Sequence, residues 1–198
     1  MEFIKQYFQE LSHICERLDY KIIEKMINLI AETKERKGRL FILGVGGSAA
    51  NASHAVNDFR KLVNIEAYTP TDNISELTAR ANDEGWNHIF DGWLRISRLS
   101  RRDLILVFSV GGGNIEKNVS VNLITALQYA KKVGARIIGI TGRDGGFTAQ
   151  VADACLIVPT VNPDHITPHT EGFQSVIEHL IVTHPKLKSS PTKWESVK

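Results

Sequence analysis

The sequence predicts a single doubly wound α/β domain, in which helices cover both faces of a parallel sheet. Short apolar runs recur along the chain, and each is followed by a glycine-rich turn or a helix-like segment. Strands that are buried on both faces of a parallel sheet have this continuous pattern, whereas half-exposed strands alternate. The predicted strands are FILGV (41–45), DLILVFSV (103–110), ARIIGIT (135–141) and ACLIVPTV (154–161), with IEAYT (65–69) as a minor strand.

Helix-like segments precede the first strand and separate the later ones. Residues 1–36 predict two helices, because their apolar residues lie near helical spacing. Gly134 and Pro185 are typical helix terminators. The later elements are predicted as a helix over 48–62, a loop over 77–85, a helix over 86–99, a long helix from about 114 to 133, a short helix over 147–153 and a last helix from about 170 to 183.

Size and composition exclude several classes of protein. The chain has 198 residues, 42% hydrophobic and 23% charged, which suits one domain with a full core. A net charge of +2 is too balanced to indicate a nucleic-acid or membrane partner. Charges interrupt the N-terminal stretch, so we expect no secretory signal and a cytoplasmic protein. We expect Cys15 and Cys155, which have no CxxC context, to be reduced and buried.

A glycine-rich turn follows the first predicted strand. Gly44, Gly46 and Gly47 allow the backbone to approach a ligand closely, and Ser48 opens a helix whose free N–H groups favour an anion. No GK[ST] follows, and the third glycine of a dinucleotide fingerprint is missing, which argues against a nucleotide. The alternative is a plain strand-to-helix turn with Ser48 as the N-cap.

A second glycine-rich turn follows the strand at 103–110. Ser109 ends that strand, three glycines (111–113) follow, and Asn114 comes next. Ligands of doubly wound sheets bind at the carboxyl ends of the strands, where both turns are expected to lie, so the two turns together predict a phosphate site. The alternative for this segment is a turn in which Asn114 caps the next helix.

Two histidine–carboxylate pairs lie on helices that follow different strands. His54 and Asp58 are four residues apart and share one helix face. Glu171 and His179 are eight residues apart on the last helix. If these faces converge, two histidines and two carboxylates form a plausible zinc site or acid/base couple. Surface helices with satisfied polar residues remain the alternative.

The last helix offers a second possible face. Glu171, Gln174 and Glu178 also follow helical spacing, which competes with the pairing of Glu171 and His179. His165 and His169, which precede the helix, are further candidates.

These motifs resemble a known family. GVGGSAANASHAVNDF (44–59) resembles the GNGGSAADAQHFAAEL region of sugar isomerase (SIS) domain proteins, and more narrowly of the phosphoheptose isomerase family. RANDEGWNHIF is similar to the family's GNDFGFNDIF, and GARIIGITGRDGG matches its third strand and turn. The resemblance covers roughly residues 1–184. It implies a flavodoxin-like three-layer SIS domain over 37–185, with N-terminal helices (1–36) at the domain or subunit interface and a polar tail over 186–198.

The resemblance also implies the metal and catalytic residues. His54, Asp58, Glu171 and His179 match the family's zinc ligands, with one zinc ion per active site. Asp58 and His179 match its acid/base pair.

Other positions match the family's substrate-binding residues. Ser48 and Ser109 match serines that contact the sugar phosphate, and Asp83 matches an aspartate that reaches the sugar. Asp164 or His169 stands in for another sugar-binding aspartate. The full expected substrate-binding set is Gly46, Gly47, Ser48, Asn51, Asp83, Ser109, Gly111, Gly112, Asn114 and His169.

The chain departs from the family at several of these positions. Asp58 stands where the family has a longer glutamate, and Glu171 replaces a glutamine, which adds a negative charge. Gly111 and Asn114 replace two serines of the phosphate loop. These departures predict a divergent paralogue.

The resemblance implies an aldose–ketose isomerase, and its first expected reaction converts sedoheptulose 7-phosphate to D-glycero-D-manno-heptose 7-phosphate for lipopolysaccharide or capsule heptose. A zinc-assisted enediol mechanism and a homotetramer are expected with it. One alternative is a non-catalytic SIS-domain regulator of the kind that binds the replication initiator. Another is an isomerase of a different sugar phosphate, such as a hexulose or amino-sugar phosphate.

Overall fold

A five-stranded parallel sheet forms the centre of the protein, in a computed structural model that describes residues 1–197. The strand order is β2-β1-β3-β4-β5, and every neighbouring pair is parallel. This order is flavodoxin-like and confirms the predicted doubly wound sheet. The strands are β1 Leu40–Leu43, β2 Ala67–Tyr68, β3 Leu104–Ser109, β4 Arg136–Thr141 and β5 Ala154–Ile157.

Helices connect the strands and cover the sheet. They are α1 Glu2–Arg17, α2 Tyr20–Glu35, α3 Gly47–Asp58, α4 Ile74–Asp83, α5 Ile89–Ile96, α6 Val121–Val133, α7 Gly146–Val151, α8 Ile166–Thr183 and α9 Lys193–Ser196. A π-helical turn, Phe59–Val63, continues α3. Within residues 1–197, no helix combines the length and the apolar character that crossing a membrane requires.

The sheet separates two apolar cores. In β1, Leu40 and Ile42 belong to the core beneath α2, α3 and α8, whereas Phe41 and Leu43 face the core beneath α5 and α6. Alternate residues therefore enter opposite cores, and all four are fully buried. Burial on both faces explains why the strands appear in the sequence as continuous apolar runs.

The prediction of a loop over 77–85 is wrong, because most of this segment belongs to α4. Asn73 caps this helix through a hydrogen bond from the Glu76 amide to its Oδ1. Arg80 pairs with Glu76 and Glu84, one helical turn away on either side. None of the α4 residues is buried. The helix is stabilised by its cap and by ion pairs, so it lacks the apolar stripe on which the prediction depended.

The predicted start of the long helix, at about residue 114, is also wrong, since α6 begins at Val121. Asn114 pairs with Val119 in an antiparallel bridge, and its Oδ1 accepts a hydrogen bond from the Lys117 amide. Asn118 and Ser120 have positive φ angles of 51° and 50°. Asn114 therefore stabilises a tight turn and does not cap the helix.

Smaller differences concern element ends and one cysteine. The last helix starts at Ile166, four residues before the predicted start. β5 ends at Ile157, two residues before Pro159, which lacks the N–H that a strand ladder needs. Both cysteines are free thiols, but Cys15 is exposed, contrary to the prediction, whereas Cys155 is partly buried. Burial raises the pKa of the Cys155 thiol.

An ion pair joins the amino ends of β1 and β3. The buried Asp103 carboxylate accepts hydrogen bonds from the Arg39 backbone and guanidinium at 2.9–3.2 Å. It also accepts bonds from the Ser100 amide and hydroxyl. These donors outweigh the effect of burial and hold the pKa of Asp103 below its usual value. The network aligns the two strands whose opposite ends carry the glycine turns.

Replacing Asp103 with alanine leaves the partly buried Arg39 charge without its partner. We expect Asp103→Ala to lower the free energy of unfolding by about 2–4 kcal/mol, measured by urea denaturation. The matched control, Asp164→Ala, removes an exposed carboxylate and is expected to change stability by less than about 0.5 kcal/mol. Equal effects of the two substitutions would contradict the role given to the Asp103 network.

Glu10 attaches α1 to the start of α8. Its Oε2 lies 2.7 Å from both His165 Nδ1 and His169 Nε2. Its Oε1 accepts a hydrogen bond of 2.7 Å from Asn162. The Tyr7 ring covers His169, with 4.7 Å between the ring centroids. Hydrogen bonds from His165 and His169 lower the pKa of Glu10 to about 2.

A lowered pKa makes the stability that Glu10 provides depend on pH. The contribution is fully present above the unfolded pKa of about 4.5 and is lost as pH falls towards 2. We therefore expect Glu10→Gln to cost stability at pH 7 and pH 5, and to cost clearly less at pH 3, in denaturant titrations against wild type. Glu16→Gln, an exposed change on the same helix, is the control. A cost that stays constant over the three pH values would rule out this linkage.

Candidate active site

The first glycine turn connects β1 to α3. Gly46 is the N-cap of α3 with a φ of 64°, and no side chain caps the helix. Ser48 is therefore not the N-cap, although it is buried. A Cβ on Gly44 would lie 2.4 Å from the Ser48 carbonyl oxygen, so this position has no room for a side chain. The helix begins with backbone N–H groups, as an anion site requires.

Glu171 lies beside this turn. A Cβ on Gly47 would be 2.5 Å from the Glu171 carboxylate, so that carboxylate occupies the space next to Gly47. The Glu171 side chain therefore places a carboxylate at the start of α3, where the helix dipole favours an anion.

The second glycine turn, between β3 and α6, packs against the turn that follows β4. Ser109 Oγ accepts a hydrogen bond of 3.0 Å from the Gly112 amide, so the serine organises its own loop. A Cβ on Gly112 would lie 1.8 Å from the Gly145 carbonyl oxygen, and only glycine permits this backbone contact. Gly111, in contrast, faces open space, with the Arg143 side chain 3.9 Å from a Cβ placed there.

A cavity of about 280 Å³ lies beside the second turn. Gly113, Asn114 and Phe147 line it, together with the carboxylates Glu116 and Asp144. The histidine–carboxylate cluster does not line this cavity and lies on a more open surface between α3 and α8.

Packing of α3 against α8 brings the predicted pair on α3 to His179 on α8. The Asn51 side-chain amide donates hydrogen bonds to the Glu171 carbonyl at 2.9 Å and to Gln174 Oε1 at 3.0 Å. Gln174 is fully buried. Asn51 was predicted to bind substrate, but in this structure its amide bridges the two helices. His54 and Asp58, one and two helical turns further along α3, face α8.

Three of the four predicted metal ligands converge at this contact. His54 Nε2 lies 3.1 Å from His179 Nε2. Asp58 Oδ2 lies 3.3 Å from His54 Nε2 and 3.6 Å from His179 Nε2. The two imidazoles are about half exposed, at 52% and 51%, whereas the Asp58 side chain is 13% exposed. The site is therefore open to solvent on its histidine side and closed behind Asp58.

Neighbouring side chains orient these groups. Asn57 donates a hydrogen bond of 2.8 Å to Asp58 Oδ1, which leaves Oδ2 directed at the histidines. Ser175 Oγ lies 3.5 Å from His179 Nδ1, on the far side of that ring from His54. Contacts of this kind orient metal-binding and catalytic side chains.

Glu178 completes the group, although sequence analysis placed it only on the competing helix face. Its Oε2 lies 3.7 Å from His179 Nε2, and its side chain is 1% exposed. Neither carboxylate oxygen has a hydrogen-bond partner among residues 1–197. Burial and then the nearby Asp58 charge raise the pKa of Glu178 to about 8. No sequence signal distinguished Glu178, because burial of its side chain is a tertiary property.

The donor set fits a divalent metal ion. His54, Asp58, Glu178 and His179 each offer one ligand atom, and these atoms all lie within 4.8 Å of one another. Zinc–nitrogen bonds of about 2.0–2.1 Å in a tetrahedral site place neighbouring ligand atoms about 3.3 Å apart. The separations of 3.1 and 3.3 Å involving His54 are close to that value. Two imidazoles with carboxylates are typical zinc ligands.

The structure does not bring every candidate residue to this cluster. Asp83 ends α4, where it is exposed and accepts a hydrogen bond from its neighbour Asn82. His169 packs on Glu10, and Asn114 closes its own turn. Glu10, His165 and His169 form a second group with metal-ligand chemistry, but their mutual hydrogen bonds account for their positions.

Comparison with known proteins identifies the family. The SIS domain family model matches residues 6–142. The chain is 33% identical to the phosphoheptose isomerase of Aliarcobacter butzleri over 167 residues, which cover 80% of this chain and 81% of that protein. It is 31% identical to the phosphoheptose isomerase of Syntrophotalea carbinolica over 185 residues, 89% of each chain. The structure of phosphoheptose isomerase GmhA from Neisseria gonorrhoeae superposes with a TM-score of 0.79 at 25% identity, covering 91% of this chain and 96% of that one. The chain therefore belongs to the SIS-domain family of phosphoheptose isomerases, and with it to the sugar-phosphate isomerases.

Proposed function

We propose that this protein converts sedoheptulose 7-phosphate to D-glycero-D-manno-heptose 7-phosphate. The observation that carries the proposal is the convergence of Asp58 with His54 and His179, whose facing atoms are 3.1–3.6 Å apart. Aldose–ketose isomerisation needs groups that move protons between two adjacent carbon atoms and their oxygens. A carboxylate and an imidazole that are in contact can move protons between the carbon atoms and between the oxygens. The site is open to solvent on one side, so a sugar can reach them.

The proton transfers are assigned to Asp58 and His179. Asp58 takes a proton from C1 of the ketose while the C2 oxygen gains one, which gives the enediol. Asp58 then returns its proton to C2, and the C1 oxygen loses its proton to form the aldose carbonyl. His179 handles the proton that moves between the two oxygens. Substitution of aspartate for the family's glutamate shortens this base by one methylene, so the sugar must lie closer to α3.

We propose one zinc ion in each active site. His54, Asp58 and His179 would hold it, together with a carboxylate from α8. When bound, zinc would polarise the sugar oxygens and stabilise the charge of the enediol. The distances between the ligand atoms support this assignment.

We propose that the two glycine turns bind the phosphate. Backbone N–H groups at Gly46, Gly47 and Gly111 and the start of α3 support this role. The Glu171 carboxylate beside Gly47 opposes an anion at the first turn. At the second turn, Arg143 lies near Gly111 and offsets the carboxylates Glu116 and Asp144.

We also propose that the protein is a homo-oligomer in the cytoplasm. Phe3, Ile4 and Phe8 of α1 are 56–65% exposed and form one apolar face. Exposed apolar clusters of this kind mark protein contacts. We place a second copy of the chain on this face.

The reaction is tested by NMR of purified protein with sedoheptulose 7-phosphate, in zinc and again after chelation. We expect new heptose resonances that disappear when the metal is removed. Asp58→Asn should reduce turnover by about 10²–10⁴-fold, because the amide cannot accept the carbon-bound proton. Glu24→Gln, which makes the same carboxylate-to-amide change at an exposed position of α2, is the matched control and should retain the wild-type rate.

Two results would contradict the proposal. Wild-type turnover by folded Asp58→Asn would remove Asp58 from the mechanism. No conversion by folded, zinc-supplied wild-type protein would exclude this heptose phosphate and direct the search to other sugar phosphates.

A further inference from the structure

We propose that Glu178, and not Glu171, supplies the α8 carboxylate that completes the metal site with His54, Asp58 and His179. This inference deepens the proposed function and rests on its metal ion, but not on its substrate. It changes the expectation taken from the family, in which the residue eight positions before the histidine binds zinc.

Position is the first argument. Glu178 Oε2 lies 3.7 Å from His179 Nε2, and Glu178 belongs to the group of four residues whose ligand atoms all lie within 4.8 Å of one another. Glu171 is not a member of that group. The structure thus directs the nearer carboxylate, and not the farther one, at the two histidines.

The surroundings of Glu178 are the second argument. Its side chain is 1% exposed, and both carboxylate oxygens lack a hydrogen-bond partner within residues 1–197. A buried carboxylate without a partner is strongly unfavourable, and proteins normally pair such groups or use them to bind metal ions. In this chain one Glu178 oxygen lies within 4.8 Å of a ligand atom of each of His54, Asp58 and His179, where a cation would satisfy it.

Charge balance is the third argument. Two carboxylates, Asp58 and Glu178, would neutralise a divalent ion that two neutral imidazoles also bind. Without the ion, two carboxylates this close together in a partly closed site disfavour each other's ionised form. A divalent cation therefore removes an unfavourable interaction that the protein alone leaves in place.

Glu171 has a different position, which is the fourth argument. Its carboxylate lies against Gly47, and its carbonyl accepts a hydrogen bond from Asn51. Moving this carboxylate to the histidines would take it away from the glycine turn. The extra charge at residue 171 therefore acts on the anion-binding turn, whereas the charge at residue 178 acts on the metal.

The test measures metal binding without substrate, using the matched pair Glu178→Gln and Glu171→Gln in the full chain. Zinc affinity is measured on the metal-free proteins by competition with a chromophoric chelator. Cobalt(II) replaces zinc in a parallel experiment, in which visible absorption reports the coordination. We expect Glu178→Gln to weaken zinc binding at least about 100-fold and to change the cobalt spectrum. Glu171→Gln should bind zinc within about threefold of wild type and keep the wild-type spectrum.

Folding is controlled by circular dichroism and thermal unfolding of each metal-free protein. If Glu178→Gln does not fold, Glu178→Asp replaces it in the experiment. This variant keeps the carboxylate on a shorter side chain. We expect it to bind zinc more weakly than wild type and to have an altered cobalt spectrum. The proposal is overturned if Glu171→Gln loses zinc while the Glu178 variant keeps it, if neither loses it, or if the wild-type protein binds no zinc.

These outcomes are separable from those of the activity assay. Zinc binding that depends on Glu178, in a protein that does not isomerise sedoheptulose 7-phosphate, would support this inference and refute the proposed substrate. Isomerisation of sedoheptulose 7-phosphate by a protein whose zinc binding is independent of Glu178 would support the proposed substrate and refute this inference.

Discussion

The contact between α3 and α8 is the interaction on which the site depends. Each helix alone carries histidine and carboxylate groups that face solvent or the core. Asn51 joins the helices by donating both of its amide hydrogens to α8, to the Glu171 carbonyl and to the buried Gln174 side chain. These directional hydrogen bonds hold the two helices in a defined relative position. The result is a distance of 3.1 Å between the imidazoles of His54 and His179.

The cluster combines groups in contrasting environments. The histidines are half exposed and available to a sugar, whereas Glu178 is buried behind them with its oxygens unpartnered. Asp58 lies between, with one oxygen held by Asn57 and the other free to face the histidines. This gradient of burial suits a site in which the rear of the group binds an ion while the front remains accessible to a sugar phosphate.

The two glycine turns lie at the same edge of the sheet but differ chemically. The second turn is built by backbone contact, since Gly112 touches the Gly145 carbonyl and Ser109 accepts a hydrogen bond from its own loop. The first turn presents the start of α3 and carries the Glu171 carboxylate beside it. The Glu171 carboxylate therefore lies where the helix dipole of α3 favours an anion.

Local patterns in the sequence determined the layer architecture, the order of the strands along the chain and the pairing of His54 with Asp58. Strands buried on both faces need apolar side chains at every position, and residues four apart on a helix must share a face. The sequence did not reveal α4, which depends on a cap and ion pairs, or the tight turn at Asn114, which uses positive φ angles. Only the tertiary structure decided which α8 carboxylate meets the histidines. Glu171 and Glu178 share a helix face by spacing, and the sequence expectation was Glu171. In the structure α3 packs on α8 so that Glu171 lies beside Gly47 and Glu178 lies near Asp58.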